Sequence, residues 1–210
     1  IVKLKTRLLG CAVITLLGFL PAATAEGAGV DTLVPTLTWS PTCANQTQLT
    51  SSIVCQTDNE TVVYYMQGSL TSGSKTSVRT TQNNSYDGTD LNVSETSSPV
   101  YSGSGETDIV YQQGESGFTG TQIGIYWCDD AVDGEIYECD QGYVKFRYTA
   151  SRYLACHETG HAVGLVHGAQ AYPSQSQQAS IMGCMVTPAN DAQMYLGDTN
   201  VQNINGVYPQ

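Results

Sequence analysis

The stretch His157-Glu158-Thr159-Gly160-His161-Ala162-Val163-Gly164-Leu165-Val166-His167 constrains the fold of this chain more than any other part of it. On a helix, His157 and His161 lie one turn apart on the same face and could bind one metal ion, with Glu158 beside them. His167 follows His161 by six residues, so on a continuing helix it would point about 240° away. The helix must therefore end before His167.

Gly164 is placed to end that helix, because glycine adopts the left-handed conformation without a Cβ penalty. A turn there would bring His167 back to the ion. Three histidine ligands leave the fourth tetrahedral position of zinc for water, which is typical of catalytic sites. The chain has three histidines, all at these positions. The alternatives are an ordinary amphipathic helix and a binding module with a structural metal; Glu158 and the open fourth position argue against the second.

The first 25 residues have the pattern of a secretory signal peptide. Lys3, Lys5 and Arg7 precede an apolar run over residues 8–20, and Ala23-Thr24-Ala25 offers a small-residue cleavage site. The apolar run is shorter than the roughly 18 residues of a membrane span. We therefore expect a secreted, extracellular protein with no membrane association after cleavage.

Charge and length narrow the class of protein further. Without residues 1–25, five basic residues remain against nineteen acidic ones, a net charge of −14 with histidine neutral. A nucleic-acid partner is excluded, because phosphate binding needs a basic footprint. The length of 210 residues suits one domain, and we expect a monomer.

Six cysteines remain after removal of the signal peptide, an even number in an oxidising compartment, which predicts three disulfides. Six cysteines allow about fifteen pairings. Proximity along the sequence favours Cys43 with Cys55 and Cys128 with Cys139, which leaves Cys156 for Cys184.

The order of elements, strands first and helices late, indicates an α+β domain over residues 59–210, preceded by an N-terminal extension or possible propeptide over 26–58. A run of β-branched and aromatic residues predicts a strand at 61–66, and apolar–polar alternation at period two predicts one at 143–148. Residues 90–93, 108–111 and 124–127 are predicted as further short strands. A polar helix is predicted at 74–86, and a helix capped by Thr149 or Ser151 runs to about Val163. A capping box at Thr199–Gln202 predicts a last short helix.

The pattern H-E-x-x-H-x-x-G-x-x-H resembles that of the metzincin clan of zinc endopeptidases. The resemblance covers residues 61–208 in layout and is specific from Cys139 onward. It implies a small twisted mixed sheet, an active-site helix, a methionine turn beneath the metal and a C-terminal helix. Met185 is favoured for the turn over Met182, because Gly183–Met185 and Ile204–Tyr208 resemble small secreted bacterial members.

The same resemblance assigns the strand before the zinc helix to the upper edge of the cleft. Val144, Lys145 and Phe146 lie at the matching place. An edge strand can bind an extended peptide by adding it to the sheet. The alternative is a buried structural strand, with Phe146 in the core.

The resemblance implies a zinc metalloendopeptidase with one catalytic Zn²⁺ held by His157, His161 and His167, and a polypeptide substrate. Glu158 would act as general base. The motif also allows a zinc hydrolase of a non-peptide amide.

A group of acidic residues before the zinc helix could bind Ca²⁺, or it could be a solvated loop. Its spacing does not match an EF-hand. The residues are Asp129, Asp130, Asp133, Glu135, Glu138 and Asp140.

Overall fold

A computed structural model describes residues 29–34, 36–37, 42–103, 105–176, 178–187 and 190–208. The predicted signal peptide lies outside the described residues. Within them, no helix has the length and apolar content needed to cross a membrane.

Six strands form one mixed sheet. Its order is β1-β6-β4-β2-β3 with parallel neighbours, and β5 pairs antiparallel with β6. The strands are β1 (Gln56–Thr57), β2 (Thr61–Met66), β3 (Asn92–Thr96), β4 (Ile109–Gln113), β5 (Gly124–Ala131) and β6 (Glu138–Phe146). The five predicted strands are all present, and β1 was not predicted.

Four α-helices accompany the sheet in the described residues: α1 (Ser72–Thr81), α2 (Arg152–Ala162), α3 (Ala179–Met182) and α4 (Asp198–Val207). A π-helical turn, Gln82–Tyr86, continues α1, and a 3₁₀ turn, Gly183–Met185, follows α3. Ser151 caps α2, because its side chain accepts a hydrogen bond from the Leu154 amide at 3.2 Å. The predicted capping box at Thr199 is wrong: α4 begins at Asp198, two residues earlier than predicted, with Gly197 as N-cap and no side-chain cap bond.

A buried polar network fixes α2 against the sheet. The Tyr111 hydroxyl from β4 contacts the Thr159 hydroxyl at 2.7 Å and accepts a hydrogen bond from Gln82 Nε2 at 2.8 Å. Tyr86 donates to the Cys156 carbonyl at 2.7 Å. Because an unpaired polar group in the core is costly, these bonds favour one position of the helix.

The described part of the segment 26–58 belongs to the same folded unit as the rest of the chain. Leu33 is fully buried and forms a bridge with Leu165. β1 pairs with the start of β6. Described residues before position 58 therefore pack against the strands and helices that follow it.

The disulfide pairs expected from the sequence are confirmed: Cys43–Cys55, Cys128–Cys139 and Cys156–Cys184. The Cys156–Cys184 disulfide joins α2, the helix that carries two of the histidines, to the 3₁₀ turn Gly183–Met185.

The assignment of Val144, Lys145 and Phe146 to an edge strand is wrong. The same stretch of β6 pairs with β4 and with β5, so these partners lie on opposite sides and β6 is interior. Val144 and Phe146 are fully buried. Lys145 is also buried, and its Nζ donates to Gln48 Oε1 at 2.9 Å and to the Ser116 carbonyl at 2.8 Å. The strand next to β6 that lies at an edge is β5, which among the described residues pairs with β6 only.

Candidate metal centre

The three histidines of the motif converge on one point. His167 Nε2 lies 3.0 Å from His157 Nε2 and 3.1 Å from His161 Nε2. His157 and His161 lie on α2, and His167 reaches them after the helix has ended. The three histidine nitrogens that the sequence predicts to converge are thus together in the fold.

Two main-chain carbonyls set the protonation of the rings. His157 Nδ1 lies 2.7 Å from the Cys184 carbonyl, and His161 Nδ1 lies 2.8 Å from the Leu165 carbonyl. A carbonyl oxygen only accepts, so each Nδ1 carries the proton and each Nε2 keeps its lone pair. This is the outer-shell arrangement that orients histidine ligands in metal sites.

All three imidazoles are held in the neutral form. Burial lowers the pKa of His157 to about 4, with repulsion from His167 as a further cause. Burial also lowers the pKa of His161, and of His167. Neutral imidazole is the form that binds metal ions.

The geometry fits a zinc ion. Ligand distances of about 2.0–2.1 Å in a tetrahedral site imply nitrogens about 3.3 Å apart, close to the spacing of 3.0–3.1 Å seen here. His157 and His161 both direct Nε2 lone pairs at His167 Nε2, and a neutral His167 has at most one proton to donate there. A cation at the common point would satisfy all three nitrogens. The cluster could therefore hold a metal ion.

Gly164 ends the helix as the sequence predicts. Its φ is +93°, and the Leu165 amide donates back to the Gly160 carbonyl at 2.8 Å. A Cβ at Gly164 would lie 3.1 Å from Gln56 Cβ and 3.3 Å from Val34 Cγ2. Glycine is therefore favoured at this position both by the positive φ and by the lack of space for a side chain. The turn places both the Leu165 carbonyl and His167 at the cluster.

Met185 lies directly against α2, the helix that carries His157 and His161. A Cβ on Gly160 would come within 2.3 Å of Met185 Sδ. Met182 lies elsewhere, with its Cγ 3.1 Å from the corresponding position on Gly168. Both methionines are fully buried, and of the two it is Met185 that packs against α2 at Gly160.

Glu158 faces a neighbour that the sequence analysis did not identify. A Cβ on Gly124, the first residue of β5, would lie 2.3 Å from Glu158 Oε1. Burial raises the pKa of Glu158 to about 8, and a divalent cation nearby would favour the charged carboxylate. Gly124 is required there because any side chain would displace the carboxyl group.

The cluster opens into a cavity of about 360 Å³, near the lower end of the range for ligand sites. Three parts of the chain that are remote in sequence line it: the segment Ser51–Val54, the start of β5, and the motif itself with Gln170. The first two were missed in the sequence analysis, because neither has a residue pattern that marks a site.

The acidic residues considered for calcium do not converge. In the described residues, ligand atoms of three or more His, Cys, Asp or Glu lie within 4.8 Å of one another in two groups: the histidines, and Cys43, Cys55 and Cys128. Those cysteines are in disulfides and offer no thiolate. The geometry therefore does not support the calcium interpretation.

Comparison with known proteins yields weak similarity only. No protein-family model matches the chain, and no curated protein matches it in sequence. A structure of myroilysin is 14% identical at a TM-score of 0.40, covering 74% of this chain and 96% of that one. A second myroilysin structure is 15% identical at a TM-score of 0.40, covering 87% and 100%. Similarity this weak is no evidence for an activity. A function can be inferred only from the geometry of the site.

Proposed function

We propose that this protein is a secreted zinc-dependent peptidase of the metzincin type, with polypeptides as substrates. The observation that carries the proposal is the convergence of three histidine Nε2 atoms in one cavity with the Glu158 carboxyl group. An open three-histidine site beside a buried acid is typical of metal-assisted hydrolysis.

His157, His161 and His167 would hold the zinc ion, which when bound supplies a water of lowered pKa and polarises the scissile carbonyl. Glu158 is the general base: its carboxylate takes a proton from the attacking water and can return it to the leaving amine. Its burial and its contact with Gly124 hold the carboxyl group in place.

The edge of β5 supports a peptide as the substrate. Gly124 and Tyr126 line the cavity and belong to an edge strand. An extended peptide could add to that edge through main-chain hydrogen bonds, which bring its carbonyls past Glu158. A small amide substrate would have no use for such an edge, so hydrolysis of a non-peptide amide is the weaker alternative.

A digest of denatured protein substrates tests the proposal. We expect new peptide ends in the mass spectrum with the zinc-loaded protein, none after treatment with a zinc chelator, and recovery when zinc is restored. A protein that binds one zinc per chain and produces no new ends would be a binding module with a structural metal.

A further inference from the structure

The loop closed by the Cys43–Cys55 disulfide lies at the end of the strand edge on which a substrate would bind. Ser51–Val54 of this loop line the cavity together with Gly124 and Tyr126. The loop is not part of the motif, and the proposed chemistry does not need it. The hydrogen bonds between the loop and β5 identify the part of the β5 edge that the loop covers.

The register of the sheet identifies the free main-chain groups of β5. The Arg147 amide donates to the Ile123 carbonyl at 2.9 Å, so residue 123 faces β6. In an antiparallel pair the residues that bond to the partner strand alternate. The main-chain groups of Gly124, Tyr126 and Cys128 therefore face the open edge.

The loop occupies one end of this edge. The Gln46 amide donates to the Cys128 carbonyl at 2.7 Å, and Asn45 Oδ1 accepts from the Ala131 amide at 2.7 Å. The Cys43 amide donates to the Ile136 carbonyl at 2.7 Å. Residues 43–46 thus run in the direction opposite to β5, and the loop covers its edge up to Cys128. Beyond them the chain turns away at Thr47, which accepts from the Thr50 amide.

Several bonds hold the loop in this position. Gln46 Oε1 accepts from the Ser52 amide at 2.8 Å and from the Ile53 amide at 3.1 Å. Gln46 Nε2 donates to the Ile53 carbonyl at 3.1 Å. Lys145 fixes the middle of the loop through Gln48. The disulfide also closes the base of the loop, so the loop is held in one position beside the cavity.

We propose that the Cys43–Cys55 loop limits the length of substrate N-terminal to the cleaved bond, so that the enzyme acts on bonds close to the N-terminus of a peptide. A peptide that binds in the same direction as residues 43–46 has its N-terminal end at Tyr126, facing Gln46. From Gly124, beside Glu158, to Tyr126 the free edge covers three residues, and Cys128 beyond them is already bonded to Gln46. About three residues therefore fit before the loop blocks the edge.

Among the residues that the structure describes, no such barrier faces the C-terminal part of the substrate, which would run past Gly124 toward Gln122 and the exposed Ile123. This inference rests on the proposed peptidase activity and narrows its substrate to N-terminal regions. The experiment therefore compares extension of a peptide at its two ends.

Two peptide series with one common cleaved bond are required, one lengthened from one to eight residues on the N-terminal side and the other on the C-terminal side. We expect kcat/KM to fall at least tenfold once the N-terminal part exceeds about three residues, and to vary less than threefold in the other series. Equal cleavage of long N-terminal extensions would show that the loop does not limit the substrate.

A pair of variants tests whether the loop causes the limit. Gln46→Ala removes three hydrogen bonds inside the loop and should reduce the penalty for N-terminal extension at least threefold. Leu49→Ala is the matched control, because Leu49 is 80% exposed at the loop tip and does not line the cavity; it should keep the full penalty. If Gln46→Ala does not fold, the wild-type peptide series alone decides.

Binding separates this inference from the proposed activity. Fluorescent peptides of both series are titrated against Glu158→Gln, and long N-terminal extensions should bind at least tenfold more weakly. If no peptide is hydrolysed by the wild type but this difference in binding holds, the peptidase proposal fails and the role of the loop stands. Cleavage and binding without any dependence on N-terminal length would reject the loop and keep the peptidase.

Discussion

Glu158 is the residue on which the proposed chemistry depends most directly. Its replacement by glutamine keeps the size of the side chain and removes the proton acceptor. We expect Glu158→Gln to retain zinc and thermal stability, while peptide hydrolysis falls at least about a hundredfold, the scale of general-base catalysis. Rates from a peptide assay at matched zinc content measure this, and near-wild-type rates would exclude the role.

Gly164 tests at the residue level whether the turn delivers His167 to the metal. Gly164→Ala adds a Cβ in the left-handed region, which costs about 1–2 kcal/mol, and crowds Gln56 and Val34. We expect lower stability together with loss of zinc, because the Leu165 carbonyl and His167 both follow the turn. Zinc per chain after dialysis against a weak chelator measures the effect, with His167→Ala as the reference for a lost ligand.

Gly134→Ala is the matched control for Gly164→Ala. Gly134 has a φ of +89°, but a Cβ there would meet no atom within 4 Å. This variant should lose a similar amount of stability from the backbone alone and keep its zinc. Retention of zinc by Gly164→Ala and His167→Ala alike would mean that a different third ligand must be sought.

At the level of elements, the contact between α2 and Met185 holds the histidine-bearing helix close to the chain beneath it. In a helix, Gly→Ala normally stabilises by about 0.5–1 kcal/mol. We expect Gly160→Ala to destabilise instead, because its Cβ would lie 2.3 Å from Met185 Sδ. When Met185→Ala is also present, the loss of stability caused by Gly160→Ala should be smaller by at least about 1 kcal/mol, because the two residues are in contact.

Gly206→Ala in α4 is the control for this cycle, since a Cβ there would meet no atom within 4 Å. It should give the usual helical gain in stability. Urea unfolding of the single and double variants measures all terms. Equal effects of Gly160→Ala with and without Met185 would show that the methionine does not support the helix.

At the level of the whole molecule, Asp108 links the stability of the sheet to pH. It lies before β4, and its carboxyl group accepts from the Val63 amide at 2.7 Å. Burial raises its pKa from the ordinary 3.8 to about 7. A raised pKa means that the folded protein favours the protonated acid. The contribution of Asp108 to the free energy of unfolding is therefore fully present below about pH 4 and is lost as the pH rises through about 7.

Asp108→Asn should remove this dependence, because the amide keeps an acceptor for the Val63 N–H and does not ionise. We expect the difference in unfolding free energy between wild type and variant to shift in favour of the variant as pH rises from 4 to 7.5. Urea unfolding at several pH values measures this. The exposed Asp133→Asn serves as the control, and parallel profiles for wild type and Asp108→Asn would contradict the assignment.

Much of the fold could be predicted because it depends on local pattern. β-Branched and aromatic runs located β2, and alternation located the end of β6. The predicted N-cap at Thr199 was wrong because the same four-residue pattern can also occur within the first turn of a helix, where Thr199 lies. The edge strand was wrong because a sequence shows which residues form strands, whereas pairing is decided by segments far apart in the chain.

For the site, the sequence by itself determined the three histidines, Glu158 and the glycine turn, because helix geometry converts spacing into direction within a few residues. Only the tertiary structure decided what surrounds them. It placed Gly124 against Glu158 and the Cys43–Cys55 loop at the end of β5. These contacts join residues more than thirty positions apart, and their energies come from burial and hydrogen bonds that exist only once the sheet has assembled.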